Sequence, residues 1–216
     1  MFELHKISLR YREQTVLKDA SLTIRQGESV ALVGPSGAGK STLLKHLRSL
    51  QAAKVAWCPQ HTGLVPMLSA YHNMYMGGLS RHSALYNLAN LLRPLAGPKT
   101  EIQALAQSLA LDAELYSRVD ELSGGQQQRV AIGRALYQQQ TIFIGDEPVS
   151  AVDAMQADKM LSLISQRHQT IVLALHDTQQ ALRVCQRIIG LKDGAIAFDL
   201  PSAQVTSEQL AALYQA

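Results

Sequence analysis

The chain has 216 residues, 47% of them apolar and 17% charged, with 20 lysines and arginines against 17 acids for a net charge of +3. Such a composition buries a sizeable core in one domain, or in a domain with a small inserted lobe, and excludes extended disorder and two full catalytic domains. So small a surplus of charge does not by itself point to nucleic acid or anionic lipid.

Residues 3–11 and 16–24 alternate in the manner of two antiparallel strands. Glu3, Lys6 and Arg10 enter before any apolar run forms, so the start does not read as a signal peptide. No stretch approaches the ~18 to 20 apolar residues that span a bilayer, and a cytosolic chain is expected whose membrane role, if any, runs through separate subunits. Residues 29–33 form a short β-rich run, followed by a glycine-rich turn and a helical pattern over 42–50. In the centre, Leu85, Leu88, Leu91 and Leu92 repeat at helical spacing within 83–92. Pro94, Gly97 and Pro98 then break the pattern, and Ile102, Leu105, Ala106 and Leu109 resume it within 100–110. A helical lobe in the centre of the chain is expected. Residues 141–144 and 170–175 return to short apolar strands, 188–191 and 195–198 flank the turn Lys192-Asp193-Gly194 as a hairpin, and 207–214 close as a helix. Cys58 and Cys185 lie far apart with no zinc-ligand spacing, which suits a reducing compartment.

The strongest local signal is Gly34-Pro35-Ser36-Gly37-Ala38-Gly39-Lys40-Ser41-Thr42, a GxxxxGK[ST] motif between strand and helix. Its glycines let backbone N–H groups curl around a triphosphate, and the helix N-terminus adds a favourable dipole. Lys40 then reaches the β- and γ-phosphates and the Ser41 hydroxyl holds magnesium. A second site follows an apolar strand, where Asp146 and Glu147 emerge side by side. Asp146 suits the magnesium shell, which leaves Glu147 as the base that polarises an attacking water.

With Leu122-Ser123-Gly124-Gly125-Gln126-Gln127-Gln128-Arg129 the chain resembles the ATP-binding-cassette (ABC) ATPases, whose signature this stretch matches. Physically it is a second helix N-terminus capped by Ser123. The resemblance implies that Ser123, Gly124, Gly125 and Gln126 face the ATP held by the other monomer of a head-to-tail homodimer. It also implies adenine stacking for Tyr11, a magnesium-, water- and permease-sensing role for Gln60, a dimer-contact loop at Ser150-Ala151-Val152-Asp153 and a γ-phosphate switch for His176. The fold implied is α/β, a P-loop NTPase with a RecA-like parallel sheet, a small amino-terminal antiparallel β part and a helical subdomain. Residues 1–60 and 136–216 would form the catalytic core and 61–135 the helical subdomain of a single 1–216 domain. ATP and Mg²⁺ are the implied cofactors. The other histidines, His5, His46, His61, His72, His82 and His168, are read as surface or packing residues.

Two features depart from the family pattern. Only 19 residues (41–59) separate Lys40 from Gln60, so the antiparallel β part must be reduced, and Gly145 stands where an apolar side chain is expected before the aspartate. DNA-handling members insert long coiled coils, and ribosome-acting members carry two cassettes. Here 41–121 holds no sustained heptad, the chain has one P-loop, and nucleic acid is not an expected partner. What remains is a separate ATPase subunit of an importer. Its expected place is peripheral, on the cytoplasmic face of the inner membrane, coupled to transmembrane permease subunits and through them to a substrate-binding protein. Residues 64–69, 122–136 and 198–214 are most similar to the phosphonate-importer branch. The alternative is a cassette-fold module that binds ATP for regulation or assembly with little turnover. Met67, Met74, Tyr75 and Met76, just after Gln60, fit either a permease-docking groove or the core of the helical lobe.

Overall fold

The computed structural model describes residues 1–215. Strands β1 (Phe2–Tyr11) and β2 (Gln14–Ile24) pair antiparallel as a two-stranded sheet. A second sheet is built from β3 (Ser29–Val33), β4 (Val55–Cys58), β5 (Ile142–Asp146), β6 (Thr170–Ala174), β7 (Arg187–Lys192) and β8 (Ala195–Pro201). Its order is β4-β5-β6-β3-β7-β8, parallel throughout except for the closing β7–β8 hairpin. The architecture is the α/β fold expected. Helices α1 (Lys40–Leu50) and α2 (Ala70–Tyr75) come first, then α3 (Ala84–Leu92), α4 (Ala96–Ser108) and α5 (Gly124–Leu136). Helices α6 (Ala154–Arg167), α7 (Thr178–Val184) and α8 (Ser207–Tyr214) complete the set.

Period-two alternation divides the interior into two cores. On β3, Val30 and Leu32 face the β1–β2 sheet and α1 together with Leu43, Leu44 and Leu47. Ala31 and Val33 face the other way, toward the cluster that holds α2, α4, α5 and α6. On β5, Ile142 and Ile144 belong to the first cluster and Phe143 to the second. Arg187 ties the two sheets together: its guanidinium makes two 2.6 Å bonds to Asp199 and donates to Thr23 O and Glu28 Oε2, each at 2.9 Å.

The segment 41–59 holds only α1, a short 3₁₀ turn at Ala52–Lys54 and β4, which leaves β1 and β2 as a pair. Gly145 leaves no gap, because a Cβ there would stand 2.9 Å from the Phe143 ring and 3.0 Å from Leu173 and Pro148. The ring of Phe143, two residues back on the same face, takes the space. Helix α4 begins earlier than the breakers suggest, at Ala96, with Gly97 and Pro98 inside its first turn. Proline is tolerated there because its missing N–H has no helical acceptor to lose.

Met74 and Tyr75 are fully buried among α2, α4 and α5, whereas Met67 is 73% exposed. The core reading therefore holds for Met74 and Tyr75, and a docking groove that includes them is corrected. Helix α3 has the expected span but faces the unexpected way, its four leucines outward. Tyr75→Glu should destabilise the chain by more than about 3 kcal/mol, since it buries an unpaired carboxylate. Chemical denaturation measures this, and a midpoint equal to that of the parent would contradict the burial of Tyr75.

Candidate nucleotide site

The turn 34–39 leaves β3 at the carboxyl edge of the sheet and opens α1. Gly34 has φ 143 and a Cβ there would lie 2.1 Å from Leu191 O; Gly39 has φ 98 and its Cβ would lie 2.9 Å from Val16 O. Only glycine fits either position. Helix α1 starts without a side-chain cap, so its first-turn N–H groups point into the cleft unclaimed by any local side chain.

That cleft has a volume of about 410 Å³ and is lined by Tyr11, Ser36, Gly37, Lys40, Ser41, Thr42, Gln60, Asp146 and Glu147, among others. The Lys40 ammonium folds back to donate to Gly34 O (2.6 Å) and Pro35 O (2.9 Å). Burial lowers its pKa, an effect opposed by the charges of Glu147 and Asp146. The Ser41 hydroxyl donates to Asp146 Oδ1 at 3.1 Å. Parity explains the meeting: Asp146 follows Ile144 by two on β5 and so points to the α1 side of the sheet. Burial raises the Asp146 pKa; the Ser41 bond lowers it, Glu147 raises it, and Lys45 and Lys40 lower it.

Glu147 has a left-handed backbone, φ 53. Its carboxylate accepts from Gln60 Nε2 at 3.0 Å and lies 2.6 Å from His176 Nε2. Tyr11 stands 54% exposed at the cleft mouth, with the Arg12 guanidinium 5.7 Å and the Lys45 ammonium 6.0 Å from its ring centre.

Thus Tyr11, the turn 34–42, Gln60, Asp146, Glu147 and His176 converge. Ser123, Gly124, Gly125 and Gln126 do not line this cleft. They start α5, where Ser123 and Gln126 form a reciprocal capping box. Gly125 packs so that a Cβ would meet Ala151 O at 2.9 Å, in the loop before α6.

A model of the ABC transporter family matches residues 17–150. The chain belongs to the ABC transporter family. Among its relatives is the phosphonates import ATP-binding protein of Pseudomonas putida, 38% identical over 98% of this chain and 88% of that protein. The phosphite import ATP-binding protein of Stutzerimonas stutzeri is 36% identical over 93% of this chain and 82% of its own length. A phosphonates import ATP-binding protein of Anaeromyxobacter dehalogenans is 35% identical over 95% of this chain, which spans only 46% of that longer relative. Among solved structures, a dimeric bacterial ABC transporter cassette superposes with a TM-score of 0.79 at 27% identity, covering 94% of this chain and 99% of that one. A dimeric post-hydrolysis cassette bound to ADP and phosphate gives 0.75 at 27% identity, covering 93% and 98%.

Four residues in or behind this cleft were given no role in it from the sequence. Gln128, buried on α5, donates to Glu147 O (2.9 Å) and accepts from Ala151 N–H (2.6 Å). Arg134 donates to Gly63 O at 2.9 Å and also to Thr62 O, holding the segment after Gln60 against α5. His61, read as a surface or packing residue, lines the cleft, as does Lys45. Lys45 was legible, four residues after Ser41 on the same helical face; Gln128 lies within the signature stretch but was given no role of its own, and nothing local marks Arg134 or His61.

A pH effect follows from Asp146. Its folded pKa is raised, so the ionised form costs stability above the unfolded pKa and the cost vanishes once both states are protonated. Nucleotide-free Asp146→Asn should melt higher than the parent at pH 7, with the difference closing as pH falls toward ~4. Thermal scans across that range check it, and a gap that widens on acidification would reverse the assignment.

Proposed function

We propose that this chain is the ATP-hydrolysing subunit of an ABC importer for phosphonate or a related oxyanion. The observation that carries the reading is the single cleft in which the uncapped N-terminus of α1, the Ser41–Asp146 pair and Glu147 come together. The curated relatives described above, phosphonate and phosphite import ATP-binding proteins, support the cargo class.

The cleft suits a triphosphate. Its turn is built on glycine positions that no side chain can occupy, and its free N–H groups favour an anion. Lys40, now closed on the carbonyls of its own turn, would transfer to the β- and γ-phosphates. The donor set for magnesium also fits: a hydroxyl from Ser41, a carboxylate from Asp146 and an amide oxygen from Gln60, with phosphates completing the shell. Bound there, magnesium would neutralise part of the phosphate charge.

In hydrolysis a water oxygen attacks the γ-phosphorus, the bond from that phosphorus to the β-bridging oxygen breaks, and ADP and phosphate leave. Glu147 orients the water and takes its proton; Gln60 and His176, which hold the same carboxylate in this structure, contact water and γ-phosphate in turn. Tyr11 stacks on the adenine. Ser123, Gly124, Gly125 and Gln126 serve the nucleotide of a partner monomer, which suits their place outside their own cleft. Two monomers thus close head to tail on two ATP molecules and open after hydrolysis, and permease subunits follow the motion. On this reading the chain works peripherally on the cytoplasmic face of the inner membrane, linked through the permease to a substrate-binding protein.

Steady-state ATPase activity with and without the permease subunits tests the reading. Stimulation supports it, whereas ATP binding without turnover in either condition favours a regulatory module. Glu147→Gln should retain ATP, accumulate nucleotide-dependent dimers and lose at least about a hundredfold in turnover; parental turnover in this variant would remove Glu147 as base. Tyr11→Ala should weaken ATP and GTP alike by about 1–3 kcal/mol, read by titration calorimetry. Equal affinities in parent and variant would assign Tyr11 to packing of β1 alone.

A further inference from the structure

Helix α3 is built inside out. Its polar residues turn inward, where the Tyr75 hydroxyl donates to Asn87 Oδ1 at 2.7 Å and the Tyr71 hydroxyl to Asn90 Oδ1 at 2.9 Å. Its leucines turn outward: Leu85, Leu88, Leu91 and Leu92 are 82%, 54%, 48% and 80% exposed. The inner contact is not optimised either, since the buried Asn90 Nδ2 and His82 Nε2 have no hydrogen-bond partner. The tyrosine hydroxyls account for the polar face turning inward, but nothing inside the chain calls for leucine at four positions of the outer face, and an exposed apolar face on one helix marks a contact with something else.

Charge decides what that is. Between Glu28 and Glu101 the sequence has no aspartate or glutamate and seven lysines and arginines, a segregation that the net charge of +3 conceals. Lys40 and Lys45 belong to the nucleotide cleft, Arg48 lies over the Trp57 ring at 5.3 Å, Lys54 ends the turn before β4, and Arg81 pairs with Glu101 at 3.0 Å, which leaves two of the seven beside α3. Arg93, at the end of α3, and Lys99, early in α4, are exposed and make no ion pair among the described residues. A second copy packed α3 against α3 would set these cations against themselves. The cytoplasmic loops of a permease carry their own surplus of lysine and arginine and match no better. An anionic leaflet offers both complementary charge and an apolar layer.

We propose that the outward face of α3 is a membrane-surface contact, with Leu85, Leu88, Leu91 and Leu92 entering the interfacial layer of an anionic bilayer and Arg93 and Lys99 meeting its headgroups. A helix of nine residues buries little, so the adhesion is weak and reversible. It adds to permease docking by raising effective concentration and does not replace it.

Cosedimentation of the purified, nucleotide-free full chain with vesicles tests this, and needs neither permease nor hydrolysis, so it stands or falls apart from the transport reading. The chain should sediment with phosphatidylglycerol-containing vesicles, far less with pure phosphatidylcholine, and less as salt rises. The double variant Leu85→Ser/Leu92→Ser, at positions too exposed to disturb the fold, should bind about tenfold less with an unchanged circular dichroism spectrum. Arg93→Glu/Lys99→Glu should lose the preference for anionic vesicles while keeping its ATP affinity. Absence of sedimentation at millimolar lipid, or undiminished binding by the leucine variant, overturns the proposal. So does a leucine-dependent dimer in sedimentation velocity without vesicle binding, which gives the face to a second copy. Leucine-dependent copurification with co-expressed permease, again without vesicle binding, gives it to the permease and overturns the proposal equally.

Discussion

Glu147 sits in a left-handed backbone conformation that a non-glycine residue adopts at a cost of about 1–3 kcal/mol, and three separate parts of the chain hold it there. Its N–H donates to Ala174 O at the end of β6 (3.1 Å), and its carbonyl accepts from Gln128 on α5 (2.9 Å). Its carboxylate is bound by Gln60, which follows β4, and by His176, which follows β6. Strand order, the seating of α5 and the loop after β4 must all be correct before this one residue can face the phosphate turn. The site is thus a consequence of the whole sheet edge, and strain at Glu147 is tolerated because so many bonds determine it at once.

Helix α5 carries this constraint outward. At its start Ser123 and Gln126 cap one another, in its middle Gln128 fixes Glu147 and the loop before α6, and near its end Arg134 grips the carbonyls after Gln60. Burial disfavours the Arg134 charge, and carbonyl acceptors offset that cost in part. A 13-residue helix, about 20 Å long, therefore connects the signature end to the glutamine loop as one rigid piece.

The reduced β part is compatible with this arrangement because the core it leaves is still closed. Leu43, Leu44 and Leu47 of α1 pack with Leu17, Leu22 and Ile24 of β2 and with the sheet in one cluster, while Arg187 bonds across to β2 through Thr23 O. At Gly145, likewise, a ring from two residues back fills what the missing side chain leaves.

Strand runs such as 29–33, the phosphate turn and the Ser123 cap were legible because each depends on neighbours within a few residues: alternation, glycine spacing and a hydroxyl placed to bond an N–H three positions on. The family pattern added Tyr11, Gln60 and His176 as candidates, but only the folded sheet edge brought them together. Gln128 lay within the signature stretch and Arg134 just beyond it, but neither position showed its partner, since both bond backbone atoms of segments distant in sequence. The leucine spacing of α3 determined that a helix forms over those residues, for periodicity fixes which side chains share a face. Which face turns inward was decided by the tyrosine hydroxyls of α2 beneath it, because hydroxyls of buried tyrosines require polar partners and Asn87 and Asn90 supply them.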